Sequence, residues 1–232
     1  MKLALLADIH GNSQALESVL KAASEEGVDE LLIMGDLVGY YFHPDEVLEL
    51  LEPWKKVIIR GNHEESLAQA ITSVSFLEGY EKRYGSGLRI ALERLNREQI
   101  NMLTSLPDKR VFRRGSLNIL MCHGSPWDVN HYIYPDAKDE VFERCFESDI
   151  DMVLSGHTHY AHSKEINGAR FINPGSVGQP RDRSPGAAWA LLDTSNGSVT
   201  FKREKYDISS VVIEARNRHP ELPYLSEVLL RE

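Results

Sequence analysis

Short apolar runs alternate with longer amphipathic stretches through most of the chain. Three such runs occupy residues 3–7, 31–34 and 57–59, and after the first two of them apolar positions recur at helical spacing. Short continuous apolar runs are typical of strands buried on both faces, and a spacing of three and four residues is typical of helices. The pattern therefore predicts strands that alternate with helices, the arrangement of an α/β fold.

The helices of the first half carry recognisable end signals. Asn12 is a suitable N-cap for a helix that runs to Gly27, and Pro44 can open a second helix. Residues 66–106 then carry apolar positions at helical spacing and no strand pattern, with Asn96 as a further N-cap. We predict that this segment is a helical insertion that covers one side of a site like a cap.

The second half has more strand character. Two Asn-Gly pairs, at 167–168 and 196–197, indicate two-residue hairpin turns. Neither an internal repeat nor a linker between domains is evident, so residues 1–232 are expected to form a single domain. Strands are predicted at 110–113, 117–122, 152–154, 163–166, 170–172, 187–192 and 199–205, and helices at 207–218 and 225–230.

The charge balance and the composition argue against several classes of partner. The net charge is -9 at pH 7 and no run of lysine and arginine is present, which argues against a nucleic-acid-binding surface. No apolar run approaches the roughly 20 residues that cross a bilayer, and the apolar start stops at Asp8 without a signal-peptide cleavage site. Cys122 and Cys145 imply no disulfide framework and are expected as buried thiols, so we expect a cytoplasmic protein.

Polar residues directly follow five of the predicted strands. The carboxyl ends of strands in an α/β sheet form the edge where ligands bind, so we expect these side chains at one rim. Taken singly, each has an ordinary interpretation: Asp8 could be an N-cap carboxylate, and Asp36 could be a turn residue. The whole set consists of Asp8 and His10, Asp36, Asn62 and His63, His123, and His157 and His159.

Together these residues offer carboxylate, amide and imidazole donors. That mixture suits Mn, Fe, Zn or Ni better than Ca or Mg, which prefer shells of oxygen alone. A structural zinc site is disfavoured because such sites prefer cysteine, and Cys122 would point to the opposite face of its strand from His123. The set therefore predicts a transition-metal centre.

The ordered motifs resemble those of the calcineurin-like metallophosphoesterase superfamily. The resemblance spans positions 8 to 159, and segments 122–126 and 173–181 are similar to its small bacterial and archaeal phosphodiesterase branch. The motifs are Asp8-x-His10, Gly35-Asp36-x-x-Gly39, Gly61-Asn62-His63-Glu64, His123 and Gly156-His157-x-His159.

This resemblance implies a fold and a mechanism. The fold would be a four-layer αββα sandwich of two mixed sheets flanked by helices. Two divalent transition metals, Mn foremost with Fe, Zn or Ni as alternatives, would hold a bridging hydroxide that attacks a phosphate ester. His63 would be the catalytic residue that gives a proton to the leaving group. The implied ligands are Asp8, His10 and His159 for one metal, Asn62, His123 and His157 for the other, and Asp36 for both.

The chain departs from one branch of this superfamily at the second motif. Serine/threonine protein phosphatases carry Asp and Arg where this chain has Gly39 and Tyr40. In that branch the Asp orients the catalytic histidine and the Arg grips the phosphate. The departure puts protein phosphatase activity in doubt, and it leaves the orienting partner of His63 unidentified.

Several further residues could shape a substrate site. Arg181, in a loop with proline and glycine, could reach a phosphate or be a solvated charge, and Tyr40 could border the cleft. The aromatic residues Phe76, Tyr80 and Tyr84 could stack on a nucleobase, although packing within the cap or at a homo-oligomer contact is the commoner role. The remaining candidates are expected to be structural or at the surface: Glu64 as a helix-end charge, and His43, His131, His162 and His219.

The function predicted from these residues is hydrolysis of a small phosphorylated substrate, a phosphodiester or a nucleotide. A phosphomonoesterase or protein phosphatase is one alternative, and a metal-bound scaffold that has lost catalysis is another. Scaffolds of that kind commonly lack His63 or several ligands, whereas this chain keeps them all. A nuclease acting on DNA ends is disfavoured by the acidic balance.

Overall fold

The computed structural model describes residues 1–232 and contains ten strands and nine α-helices. The strands are β1 Lys2–Leu6, β2 Glu30–Ile33, β3 Lys56–Ile58, β4 Lys109–Arg114, β5 Leu117–Cys122, β6 Met152–Leu154, β7 Ala161–Ile166, β8 Ala169–Pro174, β9 Ala187–Asp193 and β10 Ser198–Glu204. The helices are α1 Ser13–Glu25, α2 Pro44–Leu51, α3 Asn62–Thr72, α4 Val74–Tyr84, α5 Gly87–Arg94, α6 Arg97–Thr104, α7 Asp139–Glu143, α8 Ile208–Arg218 and α9 Tyr224–Glu227, with a 3-10 helix at Val228–Leu230.

The strands form two mixed sheets of five strands each. Sheet A has the order β10-β9-β1-β2-β3, in which β1, β2 and β3 pair in parallel and β9 pairs antiparallel with both β1 and β10. Sheet B has the order β4-β5-β6-β8-β7, in which β5, β6 and β8 are parallel and β4 and β7 are antiparallel. The predicted α/β sandwich of two mixed sheets with flanking helices is confirmed.

The side chains of β1 show how the layers stack. Leu3 and Leu5 lie in the core between the two sheets, together with Leu154 of β6. Leu6 points to the opposite face of sheet A and packs in the core that contains Leu16 of α1. Since successive side chains of a strand point to opposite faces, a strand covered on both sides reads as one continuous apolar run.

The predicted helix starts are confirmed by their capping contacts. The side-chain oxygen of Asn12 accepts a hydrogen bond from the amide of Ala15 at 3.1 Å, and Pro44 is the first residue of α2. Asn96 caps α6 by accepting from the amide of Gln99 at 2.9 Å. These contacts satisfy amides that have no partner within the first helical turn.

One of the two predicted hairpin turns is confirmed and the other is wrong in its length. Asn167 and Gly168 join β7 to β8 with φ angles of 53° and 85°, the left-handed pair that a two-residue turn requires. The loop between β9 and β10 instead spans residues 194–197. The side chains of Asp193 and Asn196 each accept a hydrogen bond at 2.9 Å from the amide two residues further on, which stabilises the longer loop.

Helices α3, α4, α5 and α6 occupy most of the segment between β3 and β4. Leu67, Leu77 and Leu103 of this segment are buried in the same core as α1. The short helix α7 is not predicted by the pattern, because its five residues span little more than one turn. None of the helices combines the length and the apolar character that crossing a bilayer requires.

Candidate metal centre

The strand ends of both sheets bring the predicted ligands together. Asp8 and His10 follow β1, Asp36 follows β2, and Asn62 begins α3, four residues beyond the end of β3. These four belong to sheet A, whereas the other ligands follow β5 and β6 of sheet B. The histidines that sheet B contributes are His123, His157 and His159.

The first cluster consists of Asp8, His10 and His159, all buried. Their nearest ligand atoms lie within 4.8 Å of one another. The Nε2 atoms of His10 and His159 are 3.1 Å apart, and Asp8 Oδ1 lies 3.5 Å from His159 Nε2. One small cation could contact all three side chains.

The second cluster consists of Asp36, His123 and His157, with Asn62 beside them. Asp36 Oδ2 lies 3.2 Å from His123 Nε2, and Asn62 Oδ1 lies 2.9 Å from the same nitrogen. Asp36 Oδ2 is also 3.8 Å from His10 Nε2 of the first cluster. The same carboxylate oxygen therefore faces both clusters.

Backbone carbonyls determine which ring nitrogen of each histidine is free. A nitrogen that faces a carbonyl oxygen carries the proton, because a carbonyl can only accept, and the other nitrogen of a neutral ring keeps its lone pair. The contacts are His10 Nδ1 to Val38 O at 3.2 Å, His123 Nδ1 to Met34 O at 2.6 Å, His159 Nδ1 to Gln179 O at 2.5 Å, and His157 Nε2 to Asn130 O at 3.2 Å. In the first cluster, the lone pairs of His10 Nε2 and His159 Nε2 thus face each other, and the two nitrogens are 3.1 Å apart.

The electrostatics of the two clusters are consistent with a cation site. Burial raises the pKa of Asp8 to about 7, and burial lowers the pKa of His10 and of His159 well below its ordinary value. Burial alone would raise the pKa of Asp36, but the His123 imidazole holds it well below its usual range. Burial would lower the pKa of His123, yet the Asp36 carboxylate raises it to about 9. The donor set therefore fits a divalent cation: the neutral rings of His10 and His159 offer lone pairs, and the carboxylates gain from a positive charge.

Strained backbone is concentrated at these clusters. A positive φ is uncommon for a residue other than glycine, and it costs of the order of 1–3 kcal/mol unless the surroundings impose it. Such strain tends to gather where a site must be held in a fixed geometry. The positive-φ residues that carry or border the clusters are Asp8, His10, Asp36, Tyr40, His157 and His159, with φ between 54° and 67°.

Glu64 ties the loops after β2 and β3 together. Its buried carboxylate accepts hydrogen bonds from the amides of Gly61 at 2.9 Å, Asp36 at 2.8 Å and Leu37 at 2.7 Å. A helix-end charge was expected from the sequence, but the contacts to the Asp36 loop were not. Only the fold shows that this side chain fixes the backbone of a ligand.

The end of β8 and the segment after it have a similar supporting role. The side-chain amide of Asn173 donates to Gly156 O at 2.6 Å, and the Ser176 hydroxyl donates to Asp8 O at 2.7 Å. A Cβ at Gly178 would lie 1.9 Å from Ile9 O, so only glycine fits there. This motif, which resembles the phosphodiesterase branch, positions the ligand loops of both sheets.

His63 lies at the edge of the centre, and each of its ring nitrogens faces a different side chain. Its amide donates to Asp36 Oδ1 at 2.8 Å, and its Nε2 lies 3.9 Å from Asp36 Oδ2. Its Nδ1 lies 2.5 Å from the hydroxyl of Tyr80 on α4. No local pattern marks Tyr80 as this partner, because neighbouring Phe76 and Tyr84 have the same aromatic character and helical spacing.

Arg181 is largely buried beside the clusters. Its guanidinium donates to the Tyr40 hydroxyl at 3.1 Å and to Gln179 Oε1 at 3.0 Å. Its buried Nε has no hydrogen-bond partner. A buried donor without a partner is unfavourable, so an anion that accepted from it would be stabilised.

Two neighbouring spaces adjoin the clusters. A chamber of about 50 Å³ is bordered by four of the candidate ligands, by His63 and Arg181, and by three tyrosines; the four are Asp36, Asn62, His157 and His159. A cavity of about 400 Å³ lies on the α4 side and is lined by Phe76, Arg83 and Gly79 among others. Both spaces share the residues Asn62, His63 and Tyr84. The other histidines lie elsewhere, as in the 2.8 Å contact of His43 with Glu214.

The chain is similar to known proteins over most of its length. The model of the calcineurin-like phosphoesterase superfamily domain matches residues 1–197. The solved structure of a hypothetical protein from Pyrococcus horikoshii superimposes with a TM-score of 0.85 at 27% identity and covers 98% of this chain and 97% of that chain. A metallophosphoesterase from Sphaerobacter thermophilus gives a TM-score of 0.77 at 27% identity, with 100% and 98% covered. The phosphodiesterase YfcE of Escherichia coli K12 is 24% identical over 223 residues, which cover 92% of this chain and 98% of the relative.

Proposed function

The chain belongs to the calcineurin-like phosphoesterase superfamily, and we propose that it is a dinuclear, metal-dependent phosphodiesterase acting on small phosphodiesters or nucleotides. The similarity to the phosphodiesterase YfcE of Escherichia coli supports the reaction class. The observation that carries the metal site is the pair of lone pairs on His10 and His159, which face each other 3.1 Å apart in buried surroundings. A cation between them replaces repulsion with two coordinate bonds.

Two ions are proposed because the donors fall into two groups. Asp8, His10 and His159 would hold one ion, and Asp36 would face both ions through Oδ2. Asn62, His123 and His157 would complete the second site, where a neutral amide leaves the ion more electrophilic than another carboxylate would. Bound there, the ions would lower the pKa of a water molecule and neutralise charge on the phosphate group.

The two spaces suggest how a substrate would lie. The phosphate would occupy the small chamber, where the unpartnered Nε of Arg181 offers a hydrogen bond. The leaving group would extend into the cavity of about 400 Å³, a volume within the range of small-molecule sites. His63 lines both spaces, so it can give its Nε2 proton to the oxygen that leaves between them.

The charge of the chamber favours a diester. Arg181 is the only lysine or arginine that lines it. A phosphodiester carries one negative charge, whereas a phosphomonoester carries nearly two at neutral pH. Tyr40, Tyr84 and Tyr132 surround the chamber with aromatic rings, which suit an uncharged ester group better than a second anionic oxygen.

Metal removal tests the proposal directly. We expect chelator-treated protein to lose hydrolysis of bis(p-nitrophenyl) phosphate and to regain it with Mn²⁺, with two ions bound per chain by elemental analysis. We also expect kcat/KM to be highest for a nucleotide diester, lower for a nucleoside monophosphate and lowest for a phosphopeptide. Full activity after chelation would contradict the metal mechanism, and a best rate on the phosphopeptide would contradict the substrate class. A protein that binds two ions but turns over no substrate would point to a scaffold.

Arg181→Ala is expected to lower kcat/KM for the diester by about 10-fold to 100-fold, since a hydrogen bond to a charged group is worth roughly 1.5–3 kcal/mol. Metal content should stay unchanged, because Arg181 is not a ligand. Arg183→Ala is the matched control, as it removes an exposed cation from the same loop. If the two variants behaved alike, Arg181 would be a structural residue and the phosphate would lie elsewhere.

A further inference from the structure

The hydroxyl of Tyr80 makes the one side-chain hydrogen bond to the His63 ring, and it comes from the helical segment between β3 and β4. The two atoms, Tyr80 Oη and His63 Nδ1, are 2.5 Å apart and buried. Burial raises the pKa of Tyr80 well above its ordinary value, so the hydroxyl keeps its proton. A neutral hydroxyl can accept a hydrogen bond from Nδ1–H and, unlike a carboxylate, carries no charge.

Gly39 leaves room for this contact. A Cβ at Gly39 would lie 2.1 Å from His63 Nδ1 and 2.9 Å from the Tyr80 hydroxyl, and the φ of Gly39 is +89°. Any side chain at this position would therefore push the two groups apart. The backbone of the Asp36 loop thus closes over the pair without a side chain between them.

We propose that Tyr80 is the positioning residue of His63: its hydroxyl holds the ring so that Nε2 faces the metal centre. The proposal rests on the function proposed above. In the charged ring, Nδ1–H donates to the Tyr80 oxygen, and Nε2–H is free to act. When the P–O bond breaks, the departing oxygen keeps the bonding electron pair and takes the Nε2 proton. The ring becomes neutral, and Nδ1 still donates to Tyr80.

The geometry explains why a second anchor is needed. The amide of His63 is fixed by Asp36 Oδ1 at 2.8 Å, but this bond holds the backbone and not the ring. Without Tyr80, the ring could rotate about its side-chain bonds towards the cavity of about 400 Å³. Nε2 would then leave the 3.9 Å separation from Asp36 Oδ2 that keeps it beside the phosphate chamber.

Tyr80→Phe tests the proposal, because it removes the hydroxyl and keeps the ring that packs 4.8 Å from Tyr84. We expect kcat on a diester with a poor leaving group to fall about 10-fold to 100-fold, the usual effect of losing one hydrogen bond to a charged group. KM and metal content should change less than about twofold, since neither depends on a proton transfer. Tyr206→Phe is the control. It also removes one tyrosine hydroxyl, which accepts a hydrogen bond of 3.2 Å from the side-chain amide of Asn12 and does not contact His63.

A double variant separates positioning from a general structural role. If Tyr80 acts only through His63, the variant His63→Ala/Tyr80→Phe should be no slower than His63→Ala alone. Multiplied effects of the two substitutions would overturn the proposal. So would a Tyr80→Phe protein with unchanged kcat on the poor leaving group.

A spectroscopic readout keeps the test independent of turnover. In protein loaded with Zn²⁺, which is diamagnetic, the ring ¹⁵N signals of His63 are identified by their loss in His63→Ala. Tyr80→Phe should shift the Nδ1 signal of His63 and leave the signals of the ligand histidines in place. An unchanged Nδ1 signal would overturn the positioning role even if the protein hydrolysed no phosphodiester at all. A shifted Nδ1 signal in a protein that hydrolyses no phosphodiester would support the contact between Tyr80 and His63 and refute the proposed function.

Discussion

Asp36→Asn is expected to lower kcat/KM for a phosphodiester by about 10³-fold or more, since metal ions contribute several kcal/mol to such reactions. The reason is the position of Asp36 Oδ2, which lies 3.8 Å from His10 Nε2 and 3.2 Å from His123 Nε2. A neutral amide there removes the negative charge that both ions would share. Elemental analysis should show fewer than two ions per chain.

Asparagine is a conservative replacement at this position. Its side-chain oxygen can still accept the His63 amide, which now donates to Asp36 Oδ1 at 2.8 Å. Glu30→Gln is the matched control. Glu30 is a buried carboxylate at the start of β2, whereas Asp36 follows the end of that strand, and Glu30 pairs with Arg114 at 2.7 Å. That variant should lose stability but keep its metal and its activity. An Asp36→Asn protein with full metal content and full rate would rule out the shared carboxylate.

His63→Ala is expected to slow turnover by roughly 10²-fold to 10⁴-fold on a diester with a poor leaving group, the usual contribution of a general acid. The effect should shrink when the leaving group is a nitrophenolate, which departs without needing a proton. Metal content should stay normal. Measurement of kcat for a series of leaving groups, together with elemental analysis, checks both expectations.

The metal content is decisive because His63 also lies close to possible ligands. His10, Asp36 and His63 have ligand atoms within 4.8 Å of one another, so an ion could in principle include His63 in its shell. A His63→Ala protein that lost metal would move His63 among the ligands. His43→Ala is the control, since His43 pairs with Glu214 away from the centre. It should leave turnover unchanged.

The strands, and the candidate ligands that follow them, can be identified in the sequence because both depend on local pattern. β5 and β6 have the predicted bounds, 117–122 and 152–154, since a buried strand in a sandwich is a short apolar run with clear ends. The ligands stand next to those ends, and glycines such as Gly35 and Gly156 mark the sharp turns. A residue that follows a strand in the sequence also lies at the edge of the sheet, so this part of the site can be located from sequence order alone.

The supporting contacts are not predictable in that way. Tyr80 meets His63 only because α4 packs against the start of α3, and no spacing within α4 distinguishes it from Tyr84. Glu64 looks like an ordinary helix-end charge until the fold brings the Asp36 loop above it. Arg181 is a loop cation in the sequence and a buried donor in the structure. Each of these roles depends on tertiary packing, which a local pattern does not encode.

The origin of the ligands has a consequence for how the protein matures. Each cluster takes donors from both sheets: Asp8 and His10 meet His159, and Asp36 meets His123. Sheet A is built from the two ends of the chain and sheet B from its middle, so neither site exists until the sandwich has closed. Because binding free energy gained only by the closed form adds to its stability, the ions would act as cross-links between the halves. Metal uptake then reports completed assembly, and a half-assembled chain would chelate weakly and stay inactive.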